Sequence, residues 1–163
     1  PPERQGCRWD VLTCATSVFF GGFLSDECSE YATQIFLIAR AMSACFSKKG
    51  YDIVSVGTDN HLLLIDLRNK NISGKKAEIA LGKADITVNK NMVPFDDKSA
   101  FVTSGIRVGV PAITTRGMKV QDMQEVVDWI DEALTHAEDE PALAAIRKSV
   151  NERMKAFALY PEW

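Results

Sequence analysis

Long apolar runs are missing from this chain: none reaches the roughly 18 consecutive apolar residues that a membrane-spanning helix needs, and no basic-then-apolar segment opens it as a signal peptide would. Positive charge is not in excess either. Its 19 lysines and arginines face 22 aspartates and glutamates, for a formal charge of -3, which disfavours a broad nucleic-acid or acidic-membrane partner. Cysteine is sparse, and Cys7, Cys14, Cys28 and Cys45 form no C-x-x-C pair. They are read as reduced and structural, with Cys45 on the apolar stripe of a helix. Together these absences describe a soluble protein of the cytoplasm. The first residue is Pro1 rather than Met, so the chain is expected to be a processed, cut or engineered piece of something longer.

Catalytic signatures are equally thin. His61 and His136 are the two histidines, and neither stands in a persuasive Ser-His-Asp or Cys-His order. His136 falls near a helix end, where a cation suits the dipole. His61 follows "GTDN", whose side chains are expected to bond their own turn. Asp96-Asp97 and the "AEDE" run at 137–140 lack metal-ligand spacing. "GIRVGVP" and "FFGGF" match no phosphate-binding glycine fingerprint. No lysine stands in an apolar setting that would make it a nucleophile.

What is present is a clear alternation of periods. "SVFFGGFLSDE" reads as a turn or loop around Gly21 and Gly22, with Ser25 or Asp26 capping a long amphipathic helix over 26–49. Tyr31, Ile35, Ile38, Met42 and Phe46 form its stripe, and Gly50 stops it. "YDIVSV" and "HLLLIDLR" read as strands, the second apolar on both faces and therefore central and covered. Ser73 caps a short helix near 74–83, "DITVNKN" is a strand leaving into a polar loop, and "MVPFDDKSAF" is a loop before a strand at about 104–110. Helices follow over 119–137, with Val120, Met123, Val127, Ile130 and Leu134 inward, and from Pro141 onward, with Ile146, Val150, Met154 and Phe157 inward. This order predicts an α+β fold, a mostly antiparallel sheet with helices packed on it.

One residue stands out within "TSGIRVGVPAITTRG". Strand alternation puts Gly105, Arg107 and Gly109 on one face and Ile106, Val108 and Val110 on the other. A guanidinium between glycines has space beside it for a carboxylate held bidentately. The competing expectation is an internal ion pair to Asp66 or Asp96, because buried arginines are usually paired. Asn89 and Asn91, in the polar "NKN", would either offer amides to the same space or simply make a turn.

The blocks "GTDNHLLLIDLR", "ITVNKN" and "FVTSGIRVGVPAITTRG" resemble, in order and spacing, the C-terminal part of the serine (glycine) hydroxymethyltransferase family, over residues 28 to 163. That family uses pyridoxal phosphate to pass a one-carbon unit between serine and tetrahydrofolate, leaving glycine. It has the aminotransferase-like fold: a large cofactor domain, a long helix and a small C-terminal α+β domain. The resemblance implies that 1–25 are a remnant of the large domain, 26–49 the linking helix and 50–163 the small domain. It implies that Arg107 binds the carboxylate of serine or glycine and that Asn91 contacts the folate ring. Gly21 and Gly22 are the one candidate remnant of the family's phosphate-side "QGGPH"-like loop.

The departures matter as much. The family's Schiff-base lysine lies in a "THK" motif that these 163 residues do not contain. Val56 replaces a usual glycine and Val110 a common threonine, each expected to put a methyl-bearing side chain near the site. This chain alone is therefore not expected to be active or to hold pyridoxal phosphate covalently. The sequence supports a portion of the enzyme that completes its site with a large domain. The alternative is a non-catalytic binding or interaction module that keeps the small-domain fold, with Phe19, Phe20 and Phe23 covered in a homodimer. A third reading is a regulatory α+β domain of unrelated origin.

Overall fold

A computed structural model describes Ser17, residues 20–22 and residues 25–159, in two units, Pro1–Gln34 and Ile35–Trp163. In the first unit, Phe20, Gly21 and Gly22 are helical rather than the expected loop. Neither glycine needs a left-handed backbone, and a Cβ on either would meet nothing within 4 Å. Phe20 is exposed, while Phe19 and Phe23, like Cys7 and Cys14, lie outside the described residues.

Helix α1 (Asp26–Lys48) begins where Ser25 Oγ accepts a bond from the Cys28 N–H at 3.2 Å, and acidic Asp26 and Glu27 sit in its first turn. It ends at Gly50, which takes the left-handed conformation at φ +76°. The rest of the second unit runs β1 (Asp52–Ile53), β2 (Leu62–Asp66), α2 (Gly74–Lys83), β3 (Asn89–Asn91), β4 (Gly105–Gly109), α3 (Pro111–Thr115), α4 (Met123–Thr135) and α5 (Glu140–Met154). The four strands form one antiparallel sheet in the order β1-β2-β4-β3, so β2 and β4 are central. Among the described residues, no helix is long and apolar enough to cross a membrane.

The sheet register divides the residues cleanly. Leu63 pairs with Val108 and Ile65 with Ile106, and all four are buried. They share one core with Ile38, Met42 and Phe46 of α1, Ala77 and Leu81 of α2, and the apolar stripes of α4 and α5. Burial of this kind, at about 25 cal/mol per Å² of apolar surface, is the main stabilising term of the unit. Tyr51 anchors the end of α1 to α4. Its ring meets Phe46 edge-on at 5.4 Å, and its hydroxyl donates to Asp131 at 2.8 Å. Lys49 bridges Asp128 and Asp131 at 2.8 and 2.9 Å. Burial first, and the Asp131 hydrogen bond second, push the Tyr51 phenol well above its usual range.

Several elements depart from expectation. β1 stops after two residues because Ser55 and Val56 turn to φ +71° and +58°, a left-handed excursion that ends any ladder. Of the strand expected over "DITVNKN", only "NKN" forms one: it is β3, a polar edge strand made by its pairing with β4, while residues 86–88 are irregular. β2 is central but covered on one face only, and Leu62 and Leu64 of its second face are half-buried. "PAITT" forms the short helix α3, with Pro111 in its first turn. Val120 lies in a 3₁₀ turn before α4 and is exposed rather than on the apolar stripe. Ser73 caps α2 by accepting from the Lys76 N–H, and Asp139 caps α5 by accepting from Ala142, the first as expected.

Candidate functional site

The face of the sheet away from the core carries Leu62, Leu64 and Asp66 from β2, Gly105, Arg107 and Gly109 from β4, and Asn89 and Asn91 from β3. Arg107 lies directly between Leu64 and Asn89, and Gly105 between Asp66 and Asn91. The strand pairing, not a loop, therefore brings Asn89 and Asn91 to the arginine's face.

Arg107 is exposed, not buried as its apolar neighbours suggested. Among the described residues its side chain makes no hydrogen bond and no ion pair, whereas the two acids that were candidates to pair with it are engaged elsewhere. Asp66 takes the Arg68 side chain through contacts of 2.6 to 3.1 Å and the Arg68 N–H at 2.9 Å. Burial alone would raise the Asp66 carboxyl, but those Arg68 bonds outweigh it and hold it below its usual range. Asp96 organises the 92–104 loop by accepting from the N–H groups of Val93, Lys98 and Ser104 and from Ser104 Oγ. Burial pushes against ionisation there as well, yet the bonds from Lys98, Ser104 and Val93 bring its pKa down to about 2. The internal ion pair expected for Arg107 is thus absent, and its planar fork is free.

The two glycines of β4 do different things. A Cβ on Gly105 would come within 2.6 Å of Val93 Cγ1 and 2.7 Å of the Ile65 carbonyl, so Gly105 permits close approach of neighbouring strands and leaves no space beside the arginine. Gly109 is exposed and is limited chiefly by Leu62 Cδ2 at 3.1 Å. The room around Arg107 comes instead from a recess of about 420 Å³. It is lined on the sheet by Leu62, Leu64, Asn91 and Arg107, and at the rim by Ser55 and Gly57 to Asn60.

That rim is a constrained turn. Gly57 takes φ +152° with ψ -155°, a combination essentially confined to glycine. Thr58 Oγ1 donates to the Leu62 carbonyl at 2.6 Å, and Asn60 Oδ1 accepts from the Leu62 N–H at 2.8 Å. Thr58 and Asn60 bond their own turn, as expected, whereas Asp59 pairs with Arg40 of α1. His61 uses its carbonyl to accept the Val110 N–H at 3.1 Å. Asn91 donates its amide to the Met92 carbonyl at 2.8 Å, which leaves its oxygen as an acceptor.

Neither valine departure lines the recess. Val110 points to the core and is fully buried, and Val56 projects wholly into solvent beyond the rim. Gly21 and Gly22 belong to the first unit. Among the described residues, Asp59 is the one carboxylate lining the recess. The sequence placed it in the polar "GTDN" turn beside His61, where turn-making was favoured over chemistry and nothing linked it to Arg107. Among the described residues no group of three His, Cys, Asp or Glu could hold a metal ion.

The recess offers one free guanidinium, an amide oxygen, hydroxyls and one carboxylate, with apolar Leu62 and Leu64 as its floor. Such a set recognises a small, polar, anionic ligand through a bidentate contact to Arg107. No lysine is among its lining residues, so it does not fit covalent attachment of an aldehyde cofactor. Compared with known families, the chain matches the model described as serine hydroxymethyltransferase over residues 1–130.

Proposed function

The chain belongs to the serine hydroxymethyltransferase family, and from that premise we propose that it carries the substrate-carboxylate and folate-facing side of a hydroxymethyltransferase site. The family is pyridoxal-phosphate dependent, and that group, when bound, supplies the electron sink for bond changes at the amino acid's α-carbon. The lysine that holds it in the family has no counterpart in these 163 residues or in the recess. Turnover in this reading needs a large domain to face the open side of the sheet.

Arg107 binds the carboxylate of serine or glycine through its two parallel N–H donors, fixing the amino acid's orientation. Asn91, one position along β3 from the Met92 carbonyl it bonds, contacts the folate ring with its free amide oxygen. Leu62 and Leu64 form the floor beside them. The observation that carries this reading is that the Arg107 side chain has no partner among the described residues, while the nearby acids Asp66, Asp96 and Asp59 are each engaged by other donors.

Calorimetric titration of glycine or serine into the wild-type chain and into Arg107→Ala tests the assignment. The expected result is a loss of at least about tenfold in affinity in the variant, the scale of a charge-assisted bidentate contact. Equal affinities would remove Arg107 from this role. The interaction-module reading has its own support: Phe95 and Phe101 of the 92–104 loop are 98% and 82% exposed.

A further inference from the structure

We infer that Asp59 receives the ammonium group of a free amino acid whose carboxylate sits on Arg107, so that the recess selects the intact zwitterion over a simple carboxylate. This rests on the carboxylate role of Arg107 proposed above. With no lysine in the lining, an entering amino acid keeps a full positive charge on its nitrogen. A cation beside the Arg107 guanidinium needs a compensating anion. The recess lining contains one, Asp59, on the rim turn of the same recess that holds Arg107 and Asn91.

Asp59 is placed to change partners. It stands on the ridge between two recesses, one containing Arg107 and the other Arg40 of α1. In the structure it contacts Arg40 at 3.3 Å, with the two side chains 92% and 59% exposed. An exposed pair of that kind contributes little, so exchanging Arg40 for a ligand ammonium costs little. Arg40 has an alternative contact, since its guanidinium already lies 4.2 Å over the Phe36 ring. The turn that carries Asp59 is fixed by Gly57 and by the Thr58 and Asn60 bonds to Leu62, so the carboxylate does not have to be brought in by loop ordering.

The test is a chemical-shift titration of the full chain with glycine and with acetate, which share the carboxylate and differ in the ammonium. Wild type should bind glycine about two- to fivefold more tightly than acetate, the range of an exposed charge contact. Asp59→Asn should abolish that preference while leaving acetate affinity in place. Arg40→Gln, which releases Asp59 without removing it, should widen the preference. Equal binding of glycine and acetate by wild type, or a preference that survives Asp59→Asn, overturns the Asp59 role and leaves Arg107's intact. Failure of both ligands to bind wild type overturns the two together.

Discussion

Val56 occupies a backbone conformation that valine resists. A β-branched residue at φ +58° crowds its own carbonyl, and here no contact compensates, since the side chain is fully exposed. The resemblance implies glycine at this position, and the left-handed backbone observed here is one for which glycine is suited. Val56→Gly should therefore raise stability by about 1 kcal/mol despite the added freedom of the unfolded chain. Urea unfolding, with an unchanged m-value, is the measurement. At the same scale, the identity of Arg107 as a candidate site residue was legible from alternation alone, because period two puts it opposite Ile106 and Val108. Its lack of a partner was not legible. That depended on Asp66 choosing Arg68, two residues away, and on Asp96 choosing three backbone N–H groups, and only the folded chain decides such competitions.

At the scale of elements, amphipathic period and caps were strong guides. α1, α2 and α5 lie within a few residues of their expected spans because Ser25, Ser73 and Pro141 mark their starts and apolar stripes their length. The strand expected over "DITVNKN" was placed too early: only the polar "NKN" pairs, and its extended form comes from β4 supplying the hydrogen bonds. The covered second face expected of β2 failed similarly, since Leu62 and Leu64 are as apolar as Leu63 yet face the recess. The 92–104 loop depends on Asp96 in a way that pH should reveal. Its carboxyl is depressed from the ordinary 3.8 to about 2, so its bonds stabilise the fold fully above about pH 4, and that contribution falls away as pH drops toward 2. Asp96→Asn, which keeps one acceptor against several donors, should cost about 1–2 kcal/mol at neutral pH. Its stability should also fall less steeply than wild type between pH 4 and 2, as followed by thermal unfolding across that window.

For the whole molecule, the comparison shows the family, and the division of labour proposed above, with this chain orienting substrates and another domain holding the cofactor, can be tested directly. Adding pyridoxal phosphate to the purified chain, followed by borohydride and mass spectrometry, should leave Arg107's recess unmodified and give no stoichiometric reduced adduct. A single lysine labelled in full would show that the chain has its own Schiff-base site. The fold class was legible from the order of periods, and the family from three motif blocks. The location of the site was not, because it is a property of which sheet face the helices leave bare.

The register of β2 and β4 has a consequence for how this protein can change. Positions 63, 65, 106 and 108 pack into the core, while 62, 64, 89 and 107 lie on the other side of the sheet, so the two sets share a backbone but point to opposite faces. Substitutions that retune the ligand are therefore buffered from those that threaten the core. Chemistry and stability vary along separate axes, and the bare face is the part of the molecule most free to acquire a different ligand while the fold stays the same.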